Sequence, residues 1–505
     1  MFGYDHHALV LFLAGAGRVN FRIADHTSGF ALQVGCPMRF LLLLLPSLLA
    51  AQTYDIVLQR GRVMDPESGL DAVRSVGING GKIVALSTRP LRGKVEVDAT
   101  GLVVAPGFID LHSHGHTPEN YRYKAMDGVT TALELEVGVS PVGSWYAVRE
   151  GKALVNFGAS VGHIPARMAV MKDTGDFLPR DAAMNRKATL EEQNAIAAAV
   201  QTGLDQGALG MGMGLAYTPT ATHEEILDLF YLAAKWKRPV FVHLRDAGNT
   251  APGIFESLQE LIGDAAASGA PLHVVHINSM ATRKTPEALR MIEGARARGL
   301  DITTEAYPYI AGSTRLDSAM FDPGWQEKLD VRYSDLLWTA TGERLTAESF
   351  ARYRKIGGGV VILMNTEEMV RAALANPLVM IASDGQIADG KGHPRGAGTY
   401  ARVLGKYVRE EKVFSLMDAI RKSSLMPAQR LESMSPQMRQ KGRLKIGADA
   451  DIAVFDPTRV VDKATYENPA QYSEGFQYVM VGGTFVVRDG KLREDVAPGQ
   501  GIRAQ

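Results

Sequence analysis

The chain has 505 residues, with 55 basic and 55 acidic side chains and one cysteine. That length can bury a large core and exceeds what a single barrel needs, so a second, smaller module is expected. The balanced charge, without a basic run or interleaved basic and aromatic residues, argues against nucleic acid or an anionic membrane as a partner and leaves a small molecule as the expected substrate.

Residues 1–37 form an upstream extension of no evident pattern. Residues 38–51 (MRFLLLLLPSLLAA) have the form of a signal peptide: Met38, Arg39, an apolar run from Phe40, then small Ala50 and Ala51 before polar Gln52. The run is short for a bilayer span, so no stable membrane anchor is expected. Met38 is read as the true start and the mature protein as periplasmic or secreted; the alternative is a buried N-terminal strand or helix. Cys36 lies before the cleavage point, so the mature chain would carry neither a disulfide nor a thiolate ligand.

Between residues 52 and 105, short alternating segments (YDIVLQRG, SVGINGGKIVAL, KVEVDA) read as a β-meander. Similar strands return in residues 441–495, followed by a tail, 496–505. Two β-rich ends around an α/β middle predict a small β-sandwich built from both ends of the chain.

Residues 106–440 alternate strands and helices. Thr189 with Glu192 and Thr222 with Glu225 read as capping boxes, Thr285 precedes Pro286 at a helix start, and Gly207 and Gly299 stand where helices should stop. Strands are expected at 107–114, 131–137, 154–163, 208–213, 239–243, 272–276, 301–307 and 378–383. Eight strands interleaved with helices predict an α/β fold, a (β/α)8 TIM barrel, with its active site at the C-terminal strand ends. Residues 314–377 are expected to form a lid or a small helical subdomain over the substrate.

Five of these strands end in side chains that can bind a divalent transition metal: His112 and His114, Glu134 and Glu136, His243, His276, and Asp384. An H-x-H pair alone is a weak signal; the other ligands at strand ends strengthen it. Residues two apart share a strand face, which aims His112 and His114 together into the barrel mouth. A carboxylate in an apolar barrel is expensive unless a cation compensates it, so Glu136 is taken as a ligand bridging two ions, with Glu134 the alternative. Asp384 stands where a carboxylate could both touch metal and move a proton, although it could also cap the following turn. His163, His223, His273 and His393 read as supporting or structural. The glycine-rich GALGMGMGL lacks the Lys and Ser/Thr of a phosphate loop.

The segments APGFIDLHSH, DGVTT, VGH, AYPYIAGST, SDG, HPRGAGTYARVLGKYVRE, MPAQRL and GADADIAVFDP together resemble the amidohydrolase superfamily, and within it the N-acyl-D-amino-acid deacylases (D-aminoacylases). The resemblance implies one or two zinc ions, one held by His112 and His114 with Asp384, the other by His243 and His276. It implies that Arg395 and Tyr307 bind the substrate carboxylate, with Ser313 beside them, and that Asp384 is the acid–base group. The chain departs from the family at three points: Val137 stands near the place of a bridging cysteine, MGMG offers no fourth-strand lysine of the kind other branches use, and Asn278 replaces a lysine after the sixth strand. The implied activity is hydrolysis of an N-acyl-D-amino acid or related dipeptide to a carboxylic acid and a free D-amino acid. Competing readings are a cyclic amidase or dipeptidase on the same barrel, and a catalytically silent scaffold.

Overall fold

The computed structural model describes residues 53–248 and 250–505. The upstream extension, the signal-like segment and Cys36 lie outside the described residues. No helix among the described residues is long and apolar enough to cross a membrane.

Eight parallel strands pair in sequence order: Phe108–Asp110, Val129–Val139, Asn156–Gly162, Met211–Gly214, Val240–His243, Leu272–Val274, Ile302–Ala306 and Val379–Ile381. Helices follow the strands and bury their apolar faces against them, as Ile226, Leu229, Phe230 and Ala233 of His223–Trp236 do. A second apolar cluster draws Ile109, Leu133, Leu209, Phe241, Val275 and Met380 from the barrel strands and the residues beside them and joins them to Ile502 and Ala504 near the chain end. Ile502 N donates to Phe157 O at 2.7 Å and Ala504 N to Gly207 O at 3.0 Å, so the tail packs against the barrel.

Between the first and eighth strands, side chains stitch where no regular ladder runs. Ser383 N donates to Asp110 Oδ1 at 3.0 Å, and Lys124 Nζ lies 2.8 Å from Asp110 Oδ2 and 2.6 Å from Ser383 Oγ, all buried. Just beyond, Asp384 N donates to His112 O at 2.7 Å and His114 N to Gly385 O at 3.1 Å. This seam brings the ligands of the first and eighth strands together.

Nine strands from the two chain ends form one sheet. The junction is Val103–Pro106, which runs parallel to Thr53–Asp65 and antiparallel to Ile452–Phe455. The expected meander holds for Thr53–Asp65, Leu70–Asn79 and Lys82–Ser87, but Arg92–Asp98 returns parallel to the first of these. Leu58, Val76, Ile83, Ile452 and Met480 form a separate core on this sheet, while Val103, Phe476 and Val479 belong to the main core.

The insert departs from the expected helical subdomain. Its centre is an antiparallel sheet in which Ala311–Arg315 pairs with Gly359–Leu363, and the latter with Leu336–Trp338, beside the helices Trp325–Leu329 and Ala347–Ile356. The β-branched run GVVIL has its partner far away in sequence, which a search for helical periodicity does not detect. Two of the expected caps also differ. Thr222 accepts from Glu225 N, but the Glu225 carboxylate is taken by His163 and Arg167. Thr285 Oγ1 donates to Thr282 O, because the helix Thr285–Arg296 is entered from a 3₁₀ turn. Thr189 and Glu192 form the complete box.

Candidate metal centre

The second barrel strand carries a bulge. Its pairing with the third strand passes from Glu134–Ala159 to Val139–Val161, so residues 135–138 stand opposite Ser160 alone. Bulges re-aim side chains, and this one separates the environments of two glutamates only two positions apart. Glu134 Oε2 lies 2.9 Å from His114 Nδ1, whereas Glu136 Oε2 lies 3.2 Å from His114 Nε2, on the other edge of the same ring.

Four side chains converge at the barrel mouth. His112 Nε2 and His114 Nε2 are 3.1 Å apart; Glu136 Oε2 is 3.0 and 3.2 Å from them, and Asp384 Oδ1 is 3.4 and 3.3 Å from them. A tetrahedral zinc site with ligands at 2.0–2.1 Å has donor–donor edges of about 3.3–3.4 Å. Five edges of the donor polyhedron therefore fall close to the size that such an ion requires. A second group shares the bridge: Glu136 Oε1 is 2.7 Å from His243 Nδ1 and 3.3 Å from His276 Nε2, and these nitrogens are 3.1 Å apart. The structure thus brings together His112, His114, Glu136, Asp384, His243 and His276, with Glu136 between the two groups and Glu134 behind His114.

The outer ring nitrogens explain how the imidazoles are aimed. His112 Nδ1 meets Glu305 Oε1 at 2.6 Å, His114 Nδ1 meets Glu134, and His276 Nδ1 meets Ser279 Oγ at 3.1 Å. A carboxylate that accepts from Nδ1–H leaves the Nε2 lone pair free for a metal. Glu305 also lies 3.1 Å from His273 Nε2, whose Nδ1 meets Thr303 Oγ1 at 2.7 Å, so His273 is placed behind the ligands. Among the described residues, His243 Nε2 is buried without a partner.

Charge in this cluster is tightly linked. Burial would lower the His112 pKa, but Asp384, Glu136 and Glu305 push it up to about 10, and the carboxylates around His114 raise that ring well above its ordinary value. Burial opposes ionisation of Glu136, yet His112 and the neighbouring imidazoles hold it well below the usual carboxylate range. Asp384 is similarly depressed against the cost of burial, chiefly by Arg395 and His112. Protons here stand in for positive charge that a divalent cation would supply, which fits this donor set to a metal. Two of the donors also occupy backbone conformations that L residues rarely adopt, φ 29° at His276 and φ 50° at Asp384, of the kind found at functional sites.

A cavity of about 510 Å³ opens over the cluster, with walls from the barrel loops and the insert. Arg395 is buried in its wall: Nη2 lies 2.9 Å from Asp384 Oδ2 and donates to Ser313 O at 3.3 Å, and its plane lies over the Tyr307 ring at 4.5 Å. Among the described residues, Arg395 Nε and Nη1 are buried without a hydrogen-bond partner, and the buried Tyr307 hydroxyl lies beside Ser279 and Arg395. Ser313 lines the cavity, and its carbonyl holds Arg395. His393 Nε2 meets Ala311 O at 3.0 Å, and its Nδ1 accepts from Arg395 N. Asn278 Nδ2 donates to Tyr307 O at 3.1 Å.

Glu305 and Phe177 were not singled out by the sequence reading. Glu305 could have been suspected from the buried carboxylate that ITTEA places in a barrel strand. Phe177, whose ring centre lies 5.4 Å from that of His114, comes from a loop with no local signature. Position 212 of the fourth strand has no room for a larger side chain: a Cβ on Gly212 would stand 2.3 Å from Glu136 O and 2.6 Å from Leu135 O.

Residues 103–487 match the amidohydrolase family. D-aminoacylase of Alcaligenes xylosoxydans xylosoxydans is 30% identical over 478 residues, covering 86% of this chain and 94% of that protein. N-acyl-D-glutamate deacylase of the same organism is 29% identical over 482 residues, covering 86% and 93%. The crystal structure of N-acyl-D-glutamate deacylase from Bordetella bronchiseptica, complexed with zinc and a phosphonate inhibitor that mimics the tetrahedral intermediate, aligns with a TM-score of 0.78 at 27% identity, covering 90% of this chain and 100% of that one. By fold, by sequence and by the arrangement of its strand-end side chains, the chain belongs to the amidohydrolase family, in its D-aminoacylase branch.

Proposed function

We propose that the protein is a zinc-dependent hydrolase of N-acyl-D-amino acids, releasing a carboxylic acid and a free D-amino acid. The observation that carries this reading is one carboxylate, Asp384, facing the imidazole pair with one oxygen and the Arg395 fork with the other. The relatives named above act on N-acyl-D-amino acids by their names, and the Bordetella structure holds zinc. His112, His114, Glu136 and Asp384 would hold one ion, and Glu136, His243 and His276 a second. When bound, zinc supplies charge that polarises a carbonyl and makes water a competent nucleophile near neutral pH.

The chain's own groups do the rest. Arg395 offers two nitrogens that are unpaired among the described residues, and Tyr307 its hydroxyl, to the substrate carboxylate; an arginine fork suits such a group because it can bind both oxygens. That grip sets the amide over the ligand cluster and turns binding into positioning. Asp384 takes the proton of the attacking water and returns it to the amide nitrogen as the C–N bond breaks. The fourth strand, MGMG, carries no lysine, and position 212 has no room for one, which weighs against the cyclic-amidase reading. The sheet shared by both chain ends serves, in this reading, as a small β-sandwich supporting the barrel, and residues 38–51 direct export.

The test is the zinc-loaded protein on N-acetyl-D- and N-acetyl-L-amino acids with metal counted in the same preparation. D-selective release of acetate with bound zinc is expected. Hydantoin hydrolysis without D-deacylation would favour the cyclic amidase, and absence of both metal and activity after zinc addition would favour a scaffold.

A further inference from the structure

Resting on the deacylase reading, the open question is which side chain the D-amino acid carries, and the cavity wall speaks to it. If Arg395 is committed to the α-carboxylate, an acidic substrate side chain needs a second cation inside the cavity. Among the described residues, the other lysines and arginines lining it are Arg315 and Lys391, and Arg315 is already bound: its Nε and Nη2 donate to Asp317 at 3.2 and 3.3 Å, and its Nη1 lies 3.7 Å from Asp176. Asp317 also takes Arg180, at 3.1 Å, so the rim arginines are matched by acids. Lys391 lies out in solvent, where a pair with a substrate would be weak and screened, and Asp176 and Asp389 add negative charge at the mouth.

The rest of the wall carries uncharged polar groups, Thr314, Thr339 and Gln386 among them, and an apolar patch. Phe177 sets its ring beside His114, and Leu178, Met320, Ile362 and Met364 line the same space. Phe177 is 38% exposed, a large apolar group held at a cavity mouth rather than in the core. Its loop is pinned at the base: Asp173 accepts from the backbone N–H groups of Gly175, Arg180, Asp181 and Ala183, and Arg167 Nε donates to Ala183 O. The Arg180–Asp317 pair ties the far side of the loop to the insert. Phe177 thus stands on a pinned loop, and the methionines lining the same cavity adapt to irregular apolar shapes.

From this arrangement we infer that the site selects D-amino acids with uncharged, apolar side chains and rejects acidic ones, with Phe177 as a specificity-determining residue. A carboxylate placed against Phe177 and the methionines would give up part of its hydration without gaining an unmatched cation, whereas a leucine- or methionine-sized group would bury apolar surface there.

The experiment compares kcat/KM for N-acetyl-D-leucine, N-acetyl-D-methionine, N-acetyl-D-alanine, N-acetyl-D-glutamate and N-acetyl-D-aspartate on the zinc-loaded full chain, with equilibrium binding of D-leucine and D-glutamate as a second readout. The leucine and methionine substrates should exceed the acidic ones by at least about tenfold. Phe177→Ala should narrow the leucine-over-alanine ratio by about tenfold. Preference for glutamate or aspartate, above all if Lys391→Ala removes it, would overturn the inference while leaving the deacylase reading intact. An unchanged leucine-over-alanine ratio in Phe177→Ala would remove Phe177 from the specificity role. Failure to cleave any N-acetyl-D-amino acid would instead bring down the deacylase reading and the inference with it.

Discussion

Arg395 Nη2 lies 2.9 Å from Asp384 Oδ2, and Asp384 Oδ1 lies 3.3 Å from His114 Nε2. The group that would move the proton is thereby tied to the group that would recognise the substrate. Arg395 helps keep Asp384 ionised despite burial, the form a proton acceptor needs. Replacing Arg395 by Met should cost at least about 10²-fold in kcat/KM on N-acetyl-D-amino acids, because a buried charge loses its partner and the substrate loses its anchor. Substrates whose α-carboxylate is replaced by a carboxamide should lose much less. Equal losses on acid and amide would show that Arg395 does not read the carboxylate.

Asp384→Asn isolates the proton-transfer role. Asparagine tolerates the positive φ of 50° at this position better than most residues, so the backbone should hold. Turnover should fall by roughly 10²–10⁴-fold, the usual worth of a positioned acid–base group, with circular dichroism unchanged. Activity at the parent level would take Asp384 out of the mechanism.

The two glutamates should separate cleanly. Glu136 stands between both donor groups, so Glu136→Gln should lose bound zinc along with rate. The Glu134 carboxylate meets the outer nitrogen of His114, so Glu134→Gln should keep zinc stoichiometry while affinity falls by about 10–100-fold. Zinc titration of both variants decides: full zinc occupancy in Glu136→Gln with loss in Glu134→Gln would exchange their roles.

Zinc binding should be coupled to proton release. Without metal, the surrounding carboxylates push His112 up to about 10 and His114 well above its ordinary 6.5, which favours protons on both imidazoles at neutral pH. An ion that takes their Nε2 lone pairs must displace them, about two protons per zinc entering the first group. Affinity should therefore rise with pH until those groups titrate, and fall steeply as pH drops. Calorimetry of zinc binding at pH 7 in buffers of different ionisation enthalpy measures the number directly, and zero release would mean that the rings are already neutral. The same raised values have a consequence for folding without metal. A histidine whose folded pKa exceeds its unfolded value stabilises fully below about 6.5, and that contribution is lost as pH rises through the folded value, about 10 for His112.

The barrel was legible because eight apolar runs alternate with capped helical segments, five of them ending in a histidine or carboxylate, and strand order in such a fold follows chain order. His112, His114, His243 and His276 could be read from those positions alone. The choice between Glu134 and Glu136 could not, because the bulge over residues 135–138 breaks the period of two on which such a reading depends. Glu305 acts through His112, and its carboxylate, 193 positions along the chain, has no local mark of that partnership. The insert misled for a related reason: the helices Trp325–Leu329 and Ala347–Ile356 show in the local sequence, while the pairing of Ala311–Arg315 with Gly359–Leu363 is decided by contacts far apart in the chain.

Gly212 offers a test of the scaffold that sets Glu136. A methyl group there would stand 2.3 Å from Glu136 O, 2.6 Å from Leu135 O and 2.7 Å from Ser160 Oγ, and two of these contacts are backbone atoms in the bulge itself. Backbone cannot swing aside as the end of a side chain can, so Gly212→Ala must push the second and fourth strands apart or flatten the bulge. Overpacking of this kind costs about 1–3 kcal/mol, to be read from denaturant unfolding. Because the displaced atom belongs to Glu136, zinc affinity should fall with stability. Gly263→Ala, on a helix where an added methyl meets nothing within 4 Å, serves as the comparison and should leave zinc affinity unchanged. Parent-like zinc binding in Gly212→Ala would mean that the Glu136 carboxylate is held by its imidazole partners alone, and that the close packing beneath it is structural rather than part of how the site is built.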